Sequence, residues 1–144
     1  MKWNEILTIV GKSGLHVLSS RTKNGLIVES LTDKKRFPVF GNERISSLEE
    51  ITMFGVSEDK PLRDIMKNIY EVENGGKAID HKSSNEALKN YMAKIYPDYD
   101  TDRVYVSDMK KLFSWYNQLH DNDMLNFEDE DVAEEDSEVK EDEK

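Results

Sequence analysis

No cysteine occurs in the chain. That excludes disulfide staples, thiolate catalysis and cysteine-ligated zinc, and it fits a reducing cytosol. Long apolar runs are missing too. Near the N-terminus, Ile6 to Val10 is broken by Thr8 and flanked by Glu5. It is too short for the apolar core of a signal peptide. No other stretch approaches the roughly 20 apolar residues that span a bilayer. The reading is a cytoplasmic protein with no membrane partner.

Histidine is scarce. His16, His81 and His120 lie in separate segments with no ligand spacing between them, so no metal is expected. His16 reads as a strand residue on an outer face. Two further motifs fail on their own terms. "GKSG" (Gly11 to Gly14) lacks the leading glycine of a phosphate loop, because Ile6 stands five residues before Gly11. Asp98, Asp100 and Asp102 occupy positions 1, 3 and 5 of a calcium loop, but Arg103 and Met109 replace its glycine and closing glutamate. No nucleophile, base and orienting group can be assembled from the sequence, so no cofactor and no enzymatic activity are expected.

Charge is abundant but unevenly placed. The chain carries a net −10. From Glu128 to Lys144 there are eleven acids against two lysines, a net of −9. Residues 1–127 hold 19 acids and 18 bases, a net of −1. The body is therefore near neutral, and the terminal run, poor in apolar residues, reads as a disordered acidic tail. Such a tail keeps a protein soluble, or it mimics a polyanion and competes for a basic surface.

Residues 6–56 have a β pattern. A glycine-bracketed turn at Gly11 to Gly14 precedes "LHVLSSRT", which places Leu15 and Val17 on one face and His16 and Leu18 on the other. Asn24-Gly25 is a hairpin signal, because both residues accept positive φ. "RFPVF" is a third strand, and Pro38, which cannot donate to a ladder, makes it an edge. Ser47 with Glu50 forms a capping box before one helical turn, and "ITMFGV" resumes β character. Short strands packed so closely suggest a small SH3-like barrel, which removes the edges of so small a sheet.

After Pro61 the period changes to that of a helix, with Leu62, Ile65, Met66, Ile69 and Tyr70 on one face. Asn74-Gly75-Gly76 stops it. A second helix is capped by Ser83 and ends at Pro97. "RVYV" reads as a short extended piece. Ser107 or Asp108 then caps a third helix that buries Met109, Leu112, Phe113, Tyr116 and Leu119. Trp115 falls on a different flank, where it packs against the β part or anchors a partner.

Two interaction features remain. Residues 1–44 carry eight bases against four acids. Lys12, Arg21, Lys23, Lys34, Lys35 and Arg36 sit in or beside turns that a barrel can gather into a basic rim for phosphates. The bland reading of these cations is a solvated edge guarded against aggregation. Trp115 is the second feature, as a protein anchor.

Taken together, "GKSGLHVLSSRTKNGLIVESLTDKKRFPVF", "SSLEEI" and "DRVYVSDMKKLFSWYNQL" resemble an uncharacterised family of short cytoplasmic proteins from Bacteroidota. The resemblance covers roughly residues 3–120. It implies an N-terminal β-rich domain and a C-terminal helical domain, both of unknown function, and carries over no site residue.

The expectation is thus an α+β chain: an SH3-like module at 1–57, a helical module at 58–125 and the tail at 126–144. Its function is read as non-enzymatic contact with RNA or DNA through the basic rim. The alternative is a protein–protein adaptor that uses the barrel surface, Trp115 and the tail.

Overall fold

The computed structural model describes residues 3–40 and 44–125. The acidic tail lies outside the described residues, as does the connection at 41–43. A 3-10 turn, Trp3–Glu5, leads into five strands: β1 (Ile6–Ile9), β2 (Lys12–Arg21), β3 (Gly25–Ser30), β4 (Arg36–Phe40) and β5 (Ile45–Ser47). They form one antiparallel sheet in the order β4-β3-β2-β1-β5. A second, two-stranded sheet pairs β6 (Thr52–Met53) with β7 (Lys60–Pro61). Three helices follow: α1 (Leu62–Val72), α2 (Asn85–Ile95) and α3 (Val106–Asp121).

The architecture is α+β, and the large sheet is open. Strands β4 and β5 are its two edges, and no pairing joins them among the described residues. Pro38 is in β4, as an edge requires; with no N–H it weakens any further pairing on that side. The sheet nevertheless bends. In a flat sheet, three strand spacings would hold β4 about 14 Å from β1. Yet Val39 on β4 joins Leu7 and Ile9 on β1 and Val28 on β3 in one apolar cluster, with Phe37 and Ile45 packed against it.

The other face of the sheet belongs to a larger core. Trp3, Ile6, Leu15, Leu31, Leu48 and Met53 are buried with residues of all three helices, among them Ile65, Met92, Phe113 and Tyr116. The β-rich and helical stretches therefore share one apolar interior. Because every described element ends before Phe127, truncation after that residue should leave the melting temperature nearly unchanged. A drop of many degrees on calorimetry would show that the acidic segment supports the body.

Several local expectations are corrected. Neither Asn24 nor Gly25 has positive φ. Gly25 is needed for another reason: a Cβ there would run into the Val39 carbonyl oxygen on β4. The glycine lets two edge-side strands approach, so Gly25→Ala should loosen β4, read as faster amide exchange at 36–40. Ser47 precedes a 3-10 turn (Leu48–Glu50), but its hydroxyl makes no cap. Ser84, one residue past the expected Ser83, caps α2, its hydroxyl accepting from the Ala87 N–H at 3.1 Å. The "RVYV" stretch is not extended. Tyr105 is the N-cap residue of α3, and the Asp108 carboxylate reaches back to accept its N–H at 2.9 Å. Tyr70, expected on the inner face of α1, is exposed. The α1 stop holds as read, with Asn74 and Gly75 at φ 53° and 84°.

Candidate functional site

Helix α3 is fixed to the sheet by its polar side chains. Gly14 interrupts the pleat of β2 at φ +82°, and the Gln118 amide oxygen lies 3.3 Å from where its Cβ would stand. That oxygen accepts the neighbouring Leu15 N–H at 2.8 Å. One turn earlier, Gln118 donates to the Ser114 hydroxyl at 3.1 Å. On the next flank, the Asn117 oxygen accepts the Ala78 N–H at 2.7 Å, and the Tyr116 hydroxyl donates to the Gly76 carbonyl at 2.9 Å. Burial, then the Glu73 carboxylate, pushes that phenol up to about 12, so it stays a donor at neutral pH. These bonds pin the α1–α2 linker along α3 and bring His81 to its side.

A groove of about 670 Å³ lies between the β1–β2 turn, α3 and this linker. Lys12, Lys110, Lys111, His81, Ser114 and Trp115 line it beside the backbone of Gly11 and Gly14, and none of its lining residues is a carboxylate. The arrangement follows from helical geometry. Lys110 and Ser114, and Lys111 and Trp115, are four apart, so they form adjacent rows on one flank of α3. Asp80 is nearby, 3.7 Å from His81 Nδ1. Trp115 is half-buried: part of its ring packs against the main core, and part faces the groove.

Across Trp115 lies a smaller depression of about 230 Å³. It shares Lys111 and Trp115 with the groove and adds Ile51, Phe54, Val104 and Asp108. Phe54 is partly exposed, and the Arg103 guanidinium stands 4.3 Å from its ring centre.

Of the six cations expected to form a rim, only Lys12 enters the groove. Lys34, Lys35 and Arg36 sit at the same end of the sheet, in the neighbouring β3–β4 turn and at the start of β4. Lys34 adopts φ 66° and its ammonium donates to the Asn122 side chain just past α3. Arg36 pairs with Glu29 at 3.1 Å. Lys35 gives its backbone N–H to the Asp33 carboxylate, which holds that acid below its ordinary range. Arg21 and Lys23 lie at the far end of the ten-residue β2, about 30 Å away at the usual rise. The expected rim is thus divided between two ends. Lys12 and Trp115, read as features of different parts, come together. Lys110 and Lys111 are not singled out in the sequence, and His81 stands there only as a histidine without ligand spacing. The signal for the lysines was the "KK" pair one turn before Trp115.

His16 is corrected as well. It is buried, not on an outer face, with its ring edge-on to Phe37 at 5.4 Å. Lys12 sits 4.9 Å from the centre of that same Phe37 ring. Burial, and then the Lys12 charge, lower the His16 pKa, while Asp33 opposes them. The folded chain therefore disfavours the imidazolium that the unfolded chain readily forms. Stability should be full above the ordinary histidine value near 6.5 and fall as pH drops below it. His16→Gln should flatten this fall in melting curves between about pH 7.5 and 5. An unchanged profile would assign the loss to other groups.

Two of the three aspartates of the calcium-like loop hold other groups. Asp98 accepts from the Ser57 N–H and hydroxyl, and Asp100 pairs with Arg103 at 2.9 Å. Among the described residues no group of three or more His, Asp or Glu is placed to hold a metal. No described helix is long and apolar enough to cross a membrane.

The fold and groove define a small two-part α+β chain: a bent antiparallel sheet backed by three helices, with a basic, aromatic groove where they meet. Two domain families match, each described as a domain of unknown function: DUF5606 over residues 4–48 and DUF6852 over residues 51–119. The solution NMR structure of a structural-genomics target from Bacteroides vulgatus is 41% identical, with a TM-score of 0.70, over 87% of this chain and 90% of that one. The chain belongs to this uncharacterised Bacteroidota family. No curated protein matches it.

Proposed function

We propose that this is a non-enzymatic cytoplasmic binding protein that takes single-stranded RNA or DNA in the groove along α3. The observation that carries the reading is the composition of that groove: three lysines and a histidine around a half-exposed indole, with no carboxylate on its walls. Phosphates supply the attraction, through the release of counterions. A base stacked on Trp115 would add about 1–3 kcal/mol, and only an unpaired strand offers its bases to a ring in this way. Lys34, Lys35 and Arg36, at the same end of the sheet, extend the positive field toward an approaching strand. We further read the bent sheet, in its β4-β3-β2-β1-β5 order, as an opened SH3-like barrel.

The test is fluorescence anisotropy with labelled mixed-sequence oligonucleotides, as single strands and as duplexes, at low and moderate salt. Single strands should bind more tightly than duplexes, and both should weaken as salt rises. Absence of binding at low salt would sink the reading. A second reading, the protein–protein adaptor, draws on exposed Val10, Phe54 and Tyr105 around the same helix. It would show as capture of a protein that survives both nuclease and salt.

A further inference from the structure

The smaller depression raises a question of selectivity. It shares two walls, Lys111 and Trp115, with the groove, so a strand lying in the groove passes its mouth. At about 230 Å³ it is smaller than the ~300–1,000 Å³ pockets that enclose drug-sized ligands. That size suits one ring system. Its walls are mostly apolar, from Ile51, Phe54, Val104 and Trp115, and two side chains supply opposite charge, Asp108 and Lys111.

Asp108 is held in place. One of its oxygens accepts the Tyr105 N–H at 2.9 Å, which fixes the carboxylate at the start of α3. A carboxylate offers about four lone-pair sites and no donor, so it has room for two further bonds. Among the bases, only guanine presents two adjacent donors, its ring N–H and exocyclic amine, beside a carbonyl oxygen. Two parallel donors meet a carboxylate as a bidentate pair, the stronger kind of charge-assisted bond. The guanine carbonyl then suits an ammonium such as that of Lys111. Adenine and cytosine would set a ring acceptor against the carboxylate, and thymine or uracil would flank one donor with two acceptors. Each such mismatch leaves a desolvated acceptor unpaired.

We propose that this depression is a base-selective subsite that takes one unstacked guanine of a bound strand. The proposal rests on the nucleic-acid reading of the adjoining groove. It makes Asp108 the residue that sets base preference and Trp115 the wall against which the base stacks.

The experiment uses the full chain and a short oligothymidylate carrying one central guanine, hypoxanthine, adenine or cytosine, or no substitution. Guanine should bind about 10-fold more tightly than adenine, cytosine or thymine, as one good bidentate contact allows. Hypoxanthine, which lacks the exocyclic amine, should fall between. Asp108→Asn keeps an oxygen for the Tyr105 N–H, and it should erase the preference for guanine over the other bases. Equal affinity for all five strands, or a preference that survives Asp108→Asn, would overturn the subsite and leave the groove reading standing. If no strand binds, both fail. Should Asp108→Asn prove unstable, the comparison of guanine with hypoxanthine on the unaltered chain still decides the matter.

Discussion

Phe113→Ala is expected to lower the stability of the whole chain by about 3–5 kcal/mol, the usual cost of removing a fully buried aromatic ring. Phe113 is completely enclosed. It meets Tyr91 of α2 edge-on at 5.2 Å and lies in the interior that also holds Trp3, Leu15 and Leu48 from the β-rich stretch. Because the cavity would open in a shared core, the damage should not stay within the helices. Far-UV circular dichroism and tryptophan fluorescence should shift together, in a single transition. Two separated transitions, with the sheet melting at its original temperature, would show that the two parts are independent.

The second large effect concerns the groove. Replacing Lys12, Lys110 and Lys111 together by alanine should weaken binding of a single strand by about 100-fold or more at low salt. Three lost phosphate contacts should also flatten the plot of log K against log salt by about 2, at roughly 0.7 per contact for single strands. All three side chains are exposed, so the variant should melt close to the parent, as surface changes usually do. Arg21→Ala with Lys23→Ala, at the far end of β2, serves as the control. It should change affinity far less. Equal losses from the two sets would mean that the positive charge acts diffusely and not through the groove.

Much of the frame was legible in the sequence because it depends on local rules. The period-2 pattern around Leu15 and Val17, the proline of β4 and the Asn74-Gly75 stop of α1 each impose a backbone geometry whatever their surroundings. Misreadings arose where a distant contact decides. Gly25 looks like a turn glycine, yet it answers to Val39 on the next strand. His16 looks exposed because its face of β2 alternates away from the helices. Phe37, two strands away on β4, is brought edge-on to it by the bending of the sheet, beside its register partner Leu7 on β1.

The groove was half legible for the same reason. Lys12 and Trp115 stand out as residue types, but they are more than 100 positions apart in the chain. Nothing local joins them. What does is the Gln118 side chain, bonded to the backbone of Leu15 and admitted by Gly14. Arg21 and Lys23 share with Lys12 a charge and a place beside a turn, which does not say at which end of the sheet the turn lies. The length of β2 separates them.

In the proposed complex a single strand lies in the groove along α3. Amide and indole chemical-shift mapping, with an isotope-labelled full chain titrated with a short single-stranded oligonucleotide at low salt, tests it most directly. The largest shifts are expected at the Trp115 indole N–H and at Gly11, Lys12, Lys110, Lys111 and Ser114, with smaller ones in the β3–β4 turn. Shifts concentrated at Arg21 and Lys23, or none at all at saturating oligonucleotide, would contradict it.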